Sequence, residues 1–269
     1  MIIASRDHVL ILWELVTSMA QNAQVYLLDG GTLVIDGYHL YWNAGPGGPV
    51  RFPCYSVLVD HPEGKFLFDT GYDLEHVKKV LPFELPEQTS AQTIPGQLKL
   101  IGLEPSDVTH VINSHYHFDH VGGNKFCTSA TTLAHEKELE ASHNHHPFER
   151  LGYSDLSFDE IGPRYELLSG DTEIARGLHV FETPGHTAGH ISLMVELNGR
   201  QPMLFTGDAI YTRQSLERMV IAGFHLDPVA SLDSMRRLAA LAEEHDAELF
   251  FSHDADSYRD WIKAPAYYA

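Results

Sequence analysis

The stretch Ser114 to Gly123 reads "SHYHFDHVGG" and packs three histidines and an aspartate into six residues. At the histidine and aspartate frequencies of this chain, an HxHxDH pattern arises by chance roughly 0.005 times, so the signal is specific. In an extended segment alternate side chains share a face. His115 and His117 can therefore reach one metal ion together. Asp119 and His120 follow where the chain turns toward a helix, and can address a neighbouring position. Gly122 and Gly123 permit the tight turn and close backbone approach. A metal takes three or four ligands. The fold must therefore carry further donors from distant segments to this one.

Three candidates stand after strand-like runs: His186 in "TPGHTAGH", Asp208 in "LFTGDAIY" and His253 in "LFFSHD". A lone histidine at a strand end is more often a satisfied polar residue, but the group is not read that way. Seven ligands with one bridging carboxylate fit two metal ions about 3.5 Å apart. Zinc suits these donors, as one or two ions, and manganese or iron fits them too. His190 reads as structural support, and the "HNHH" run from His143 to His146 as a solvated loop.

Around these motifs the chain reads as apolar strands separated by turns and helices. "QVYLLDGGTLVIDGYHLYWN" reads as short strands with turns at Gly30-Gly31 and Asp36-Gly37. "CYSVLVDHPEGKFLFDTG" gives two strands joined by a Pro-Glu-Gly turn. Helices are expected at about 73–81 and 92–102, and strands in "HVINSH" and "ATTLAH". Residues 143–164 lack periodicity and read as a long loop of the kind that serves a site. Strands resume with "LHVFETPGH", "HISLMVEL" and "PMLFTGDA". Leu232, Met235, Leu238, Ala239 and Ala242 then mark an amphipathic helix, with Asp227 as N-cap and Pro228 at its first position. Two sheets packed face to face with helices outside suit that order.

The formal charge of −19 repels phosphate backbones, which argues against a nucleic acid partner. No run approaches the roughly 18 apolar residues of a membrane helix. Residues 1–18 read as an N-terminal extension without signal-peptide features, ahead of a single catalytic domain over 19–269. The default compartment is the cytoplasm. Cys54 and Cys127 form no metal or redox motif and read as buried thiols. The oligomeric state is left open, a homodimer among the options.

"SHYHFDH", "TPGHTAGH", "TGD" and the terminal "SHD", with "FDTG" at 68–71, resemble the ordered motifs of the metallo-β-lactamase superfamily, from about Gln24 onward. The resemblance implies a four-layer αββα sandwich, two mixed sheets with helices outside, and the metal site at one sheet edge. It also implies a grouping: His115, His117 and His186 on one metal, Asp119, His120 and His253 on the other, and Asp208 between them. Flavodiiron members usually carry Glu where this chain has His117, which argues against a redox role. Tyr211 follows Asp208 at the Asp-x-x-Tyr spacing of quorum-sensing lactonases, whose tyrosine faces the lactone carbonyl. Segments outside the metal motifs, among them "KVLPFE", "LGYSDLSF" and "FHLDPVASLDSMRRL", resemble the 4-pyridoxolactonases of bacterial vitamin B6 degradation.

That resemblance implies a small-molecule aromatic lactone as substrate, 4-pyridoxolactone opened to 4-pyridoxic acid. The alternatives on the same fold are an N-acyl-homoserine lactonase and a glyoxalase II-type thioesterase. In the expected chemistry a metal lowers the pKa of its water toward ~7. Asp208 positions that water, Tyr211 helps to stabilise the oxyanion, and Asp119 moves a proton to the leaving alkoxide. Trp42, Phe52, Phe118 and Phe224 are candidates to enclose a flat ring, and Arg51 and His225 to meet its polar groups. For each of these the blander alternatives are a core position or surface pairing.

Overall fold

The computed structural model describes residues 23–153 and 164–269. The first sheet contains β1 (Gln24–Asp36), β2 (Pro49–His61), β3 (Gly64–Phe68), β4 (His110–Ile112), β5 (Thr131–His135) and β6 (Arg164–Leu168), paired in that order. β1–β2 and β2–β3 are antiparallel, and the remaining pairs are parallel. The second sheet runs β11 (Glu248–Phe250), β10 (Met203–Phe205), β9 (Ile191–Val195), β8 (Leu178–Glu182) and β7 (Thr172–Ala175). Only its β10–β11 pair is parallel. Both sheets are therefore mixed.

The period-2 alternation of strands sorts the apolar residues into layers. Val57, Val59, Phe66, Phe68 and Ile112 point inward and meet Leu193, Val195, Met203 and Phe205 of the second sheet. The residues between them, Leu58, Leu67 and Val111, face the opposite way, onto Ile94 and Leu98. Met194 and Leu204 likewise turn outward onto Met235 and Leu238.

The short helices α1 (Gly37–Leu40) and α2 (Leu74–Val80) follow β1 and β3, and α3 (Ile94–Leu100) covers the outer face of the first sheet. α4 (Phe118–Val121) and α5 (Glu136–Asn144) flank β5, and α6 (Arg213–Arg218) follows β10. α7 (Pro228–Glu244) covers the second sheet, and α8 (Ala255–Asp260) follows β11. Among the described residues no helix is long and apolar enough to cross a membrane. The reading of residues 1–18, and that of the 143–164 loop over 154–163, lie outside the described residues.

Two local expectations are corrected. Gly30-Gly31 is not a turn: β1 runs through it, and its register against β2 shifts between Asp29 and Thr32. An inserted bulge has the same glycine signature as a turn. Gly31 sits at φ +90°, where a Cβ would lie 2.5 Å from the Glu87 carbonyl oxygen. The sequence announces neither β6 nor β7 as a strand, because most of their side chains are exposed or only partly buried and carry little apolar alternation.

α7 is anchored next to the metal-ligand motif "TPGH". Asp227 caps it by accepting from the Val229 and Ala230 amides at 2.9 and 3.0 Å. The preceding Leu226 amide bonds the Gly185 and His186 carbonyls, and Ser234 Oγ donates to the Pro184 carbonyl. Asp227→Ala should cost about 1 kcal/mol, as N-cap losses do, and lower Tm by roughly 2–4 °C. Thermal unfolding followed by circular dichroism checks this, and an unchanged Tm contradicts it.

Candidate active site

The donors predicted from sequence converge at one edge of the two sheets. His115 and His117 lie in the segment that leaves β4, and Asp119 and His120 lie on α4. His186 sits in the turn after β8, Asp208 in the 3-10 turn after β10, and His253 in the turn after β11. Gly207 takes φ +51° beside the His190 ring, where a Cβ would stand 2.7 Å from Nε2. Only glycine lets Asp208 enter at this depth.

His186 Nε2 is 3.2 Å from His115 Nε2 and 2.9 Å from His117 Nδ1. Asp208 faces both halves of the cluster. Its Oδ2 is 3.3 Å from His186 Nε2 and 3.8 Å from His115 Nε2. Its Oδ1 is 3.2 Å from His120 Nε2 and 3.3 Å from His253 Nε2. Asp119 Oδ2 stands 3.7 Å from His120 Nε2 and 3.6 Å from His253 Nε2. Cys54, read from sequence as a plain buried thiol, also comes within ligand range of Asp119 and His253.

The opposite edge of each ring is tied down. His120 Nδ1 donates to Asp69 Oδ2 at 2.7 Å, and His253 Nδ1 to the Pro53 carbonyl at 3.0 Å. His186 Nδ1 donates to the Phe224 carbonyl at 2.6 Å. Ser114 Oγ donates to Asp69 Oδ2 and so accepts from His115 Nδ1. These bonds orient the rings and leave Nε2 of His115, His120, His186 and His253 aimed at the centre, the usual preparation of a metal ligand. Against burial, Asp208 and Asp119 raise the pKa of His120 and His253, so a metal bound there would displace a proton. His190 instead accepts from the Asp208 amide at 2.9 Å and bonds Thr183 through Nδ1. It supports Asp208 without joining the donor set.

A metal fits these residues. Tetrahedral Zn–N bonds of about 2.0–2.1 Å separate ligand nitrogens by about 3.3 Å, close to the spacing found here. Among the described residues, buried His120 Nε2 and Asp208 Oδ1 face each other at 3.2 Å without a well-aligned hydrogen bond, a costly arrangement unless something else binds them. Burial, with the neighbouring imidazoles, holds His115 well below the ordinary histidine pKa, and burial takes His117 and His186 down to about 3. These three are neutral and free to ligate. Burial opposes ionisation of Asp208, yet His120, His253 and His186 keep its carboxyl well below the usual carboxylate range.

Tyr211 lies between the two groups of donors, with ring centroids 4.8 Å from His253 and 5.9 Å from His186. Burial and the charges of Asp208 and Asp119 push its phenol well above the ordinary pKa, so it keeps its proton. A cavity of about 730 Å³ opens onto this centre. Phe52, Phe118, Phe224 and His225 line it, as the sequence suggested, and Phe52 packs edge-on against His253 at 4.6 Å. Arg51 does not reach it: it pairs with Glu87 at 3.0 Å and with Thr32 Oγ1 at 2.8 Å, toward solvent. Trp42 packs behind His225 at 4.4 Å.

Other site residues carried weaker sequence signals. Asp69 belongs to the quoted "FDTG", but its role required seeing His120. Buried Glu138 accepts from the Tyr116 and Gly189 amides and from Tyr153, joining three segments around the site. His39 and Glu84 line the cavity from segments with no motif.

The metallo-beta-lactamase superfamily profile matches residues 49–262. The N-acyl homoserine lactonase AttM of Rhizobium radiobacter is 32% identical, over 92% of this chain and 99% of its own. An N-acyl homoserine lactonase of a Bacillus species is 31% identical, over 91% of this chain and 98% of its own. A solved N-acyl homoserine lactone hydrolase, with the product N-hexanoyl-L-homoserine at its catalytic metal centre, superposes with a TM-score of 0.82. It is 29% identical and covers 93% of this chain and 100% of its own. With two mixed sheets, their covering helices and this ordered donor set, the chain belongs to the metallo-β-lactamase superfamily.

Proposed function

We propose that the protein is a metal-dependent lactonase. The observation that carries this reading is Tyr211. It keeps a protonated hydroxyl beside Asp208 at the floor of an apolar cavity, in a chain whose curated relatives include lactonases matched over nearly their full length. The leading substrate class is an N-acyl homoserine lactone, supported by those relatives and by apolar walls that include Val34, Ile35, Leu81 and Leu151. A second reading, 4-pyridoxolactone in vitamin B6 degradation, has its own support. Phe224 and His39 stack at 4.8 Å and 25° on one wall, a flat aromatic surface for a planar ring.

When bound, metal ions at these donors supply a water ionised near pH 7 and a Lewis acid for the carbonyl oxygen. The residues do the rest. Asp208 spans both halves of the cluster and sets their separation. Tyr211 donates its proton toward the oxyanion that forms as water adds to the carbonyl carbon. Asp119, at the cavity edge, takes up the proton that the attacking water gives up and delivers it to the ring oxygen as the acyl C–O bond breaks. The product carries a carboxylate and an alcohol in one molecule.

His115→Ala and His117→Ala should each lose metal by elemental analysis and with it lactone hydrolysis. Unchanged metal content and rate in both would remove the metal assignment. Tyr211→Phe deletes one hydroxyl and should lower kcat roughly 10- to 1,000-fold, at or below the usual range for one oxyanion donor because a metal shares the charge. Its metal content should not change. The substrate is decided by comparing kcat/KM for N-hexanoyl homoserine lactone, 4-pyridoxolactone and a glutathione thioester. The first should win; 4-pyridoxolactone winning would install the second reading, and a thioester winning would overturn the lactonase.

A further inference from the structure

The turn that follows α2 reverses the normal sorting of side chains. Phe83 and Leu85 are 63% and 55% exposed, while Glu84 between them is 6% exposed. Large apolar residues in water beside a buried carboxyl is the arrangement that needs a reason. The backbone imposes it. Pro82–Glu84 forms a 3-10 turn with the Glu84 amide on the Leu81 carbonyl, and Leu85 then takes a left-handed φ of 43°. The turn directs Glu84 into the 730 Å³ cavity that ends at the metal donors.

Among the described residues the Glu84 carboxyl makes no ion pair or side-chain hydrogen bond, and it faces the open cavity. It caps no helix. Burial, and then the charge of Asp119, push its carboxyl up to about 8, and it acts in turn on the Tyr211 phenol. It therefore lies within electrostatic reach of the reacting end. Val34, Ile35, Leu81 and Phe118 give this cavity wall an apolar lining. A buried hydrogen-bonding group facing an apolar cavity is the usual means of orienting a ligand.

We propose that Glu84 is a specificity-determining residue: its carboxyl hydrogen-bonds a neutral polar group that the substrate carries beside its lactone ring. The inference rests on the lactonase reading and deepens it. An amide on a homoserine lactone or a ring nitrogen or hydroxyl on a pyridine lactone supplies that chemistry. A lactone without such a group leaves Glu84 unsatisfied and binds less well, as sites with buried polar groups reject analogues that lack the partner.

The test uses the metal-loaded enzyme and three lactones: N-hexanoyl homoserine lactone, 4-pyridoxolactone, and γ-nonalactone, which has an alkyl chain and no second polar group. Glu84→Leu should raise KM about 10-fold for the polar lactone that the parent prefers, the scale of one lost hydrogen bond. Its kcat should change less than threefold. KM for γ-nonalactone should stay level or fall, because the orphaned carboxyl is gone. Glu84→Gln keeps hydrogen-bonding capacity and should retain most of the preference. If Glu84→Leu does not fold, Glu84→Ala serves for the same comparison. Equal losses on all three lactones together with a lower Tm would mean a structural role and overturn the proposal. So would no change on any of them, and in both cases the lactonase reading would stand. A parent that opens none of the lactones overturns that reading, and this inference with it.

Discussion

The site depends on one constraint: each buried imidazole that faces the centre must have its other nitrogen satisfied. Five histidines and two aspartates crowd a largely buried volume, and unpaired polar groups there are costly. The structure meets this with fixed acceptors on separate elements. Asp69, after β3, takes His120; the Pro53 carbonyl of β2 takes His253; the Phe224 carbonyl takes His186. Each bond joins one part of the sandwich to another. Tying down the rings therefore also docks the loops, and metal geometry and tertiary structure are set by the same contacts.

Asp208 is where these ties meet. It sits on a turn that only Gly207 permits, its amide held by His190 and its oxygens divided between the two halves of the cluster. One carboxylate facing four imidazoles at 3.2–3.8 Å places a negative charge between two positions that are each short of one. Burial alone would protonate it. The imidazoles reverse that, which keeps it an anion able to serve both sides.

Much of this was legible in the sequence, because the donors cluster in short motifs at the ends of apolar strands. His115, His117, His186, Asp208 and His253 could be placed by spacing and strand order alone. So could the layers, since alternation in "YSVLVD" and "KFLFD" sorts residues onto two faces. What failed to show depended on distant contacts. Gly30-Gly31 carries the composition of a turn, and only pairing with β2 makes it a bulge. β6 and β7 bury little and so leave little pattern. Arg51 allows two readings in sequence, substrate contact or surface pairing, and its bonds to Glu87 and Thr32 make it the second. Glu84, in a segment quoted only for its resemblance, looks in sequence like any surface glutamate. Its burial follows from the left-handed turn at Leu85, which no local spacing announces.

The division between motif and cavity explains why the reaction is easier to read than the substrate. The donors come from strand ends, whose positions are fixed by two packed sheets. The cavity walls come partly from the ends of β1 and β2, through Val34, Ile35 and Phe52, and otherwise from connections: α1, the turn at 82–85, the 148–152 segment and the 222–225 loop. Connections tolerate change without loss of fold, so relatives about 30% identical can share the centre and differ in what surrounds it. Charge adds a filter of its own. A net charge of −19 favours neutral substrates over anionic ones, while hydrolysis turns a neutral ring into an anion. The same field that admits the lactone therefore opposes retention of its product. Any hold on the product must come from the cluster itself, the one region where positive metal charge would outweigh the acidic surroundings.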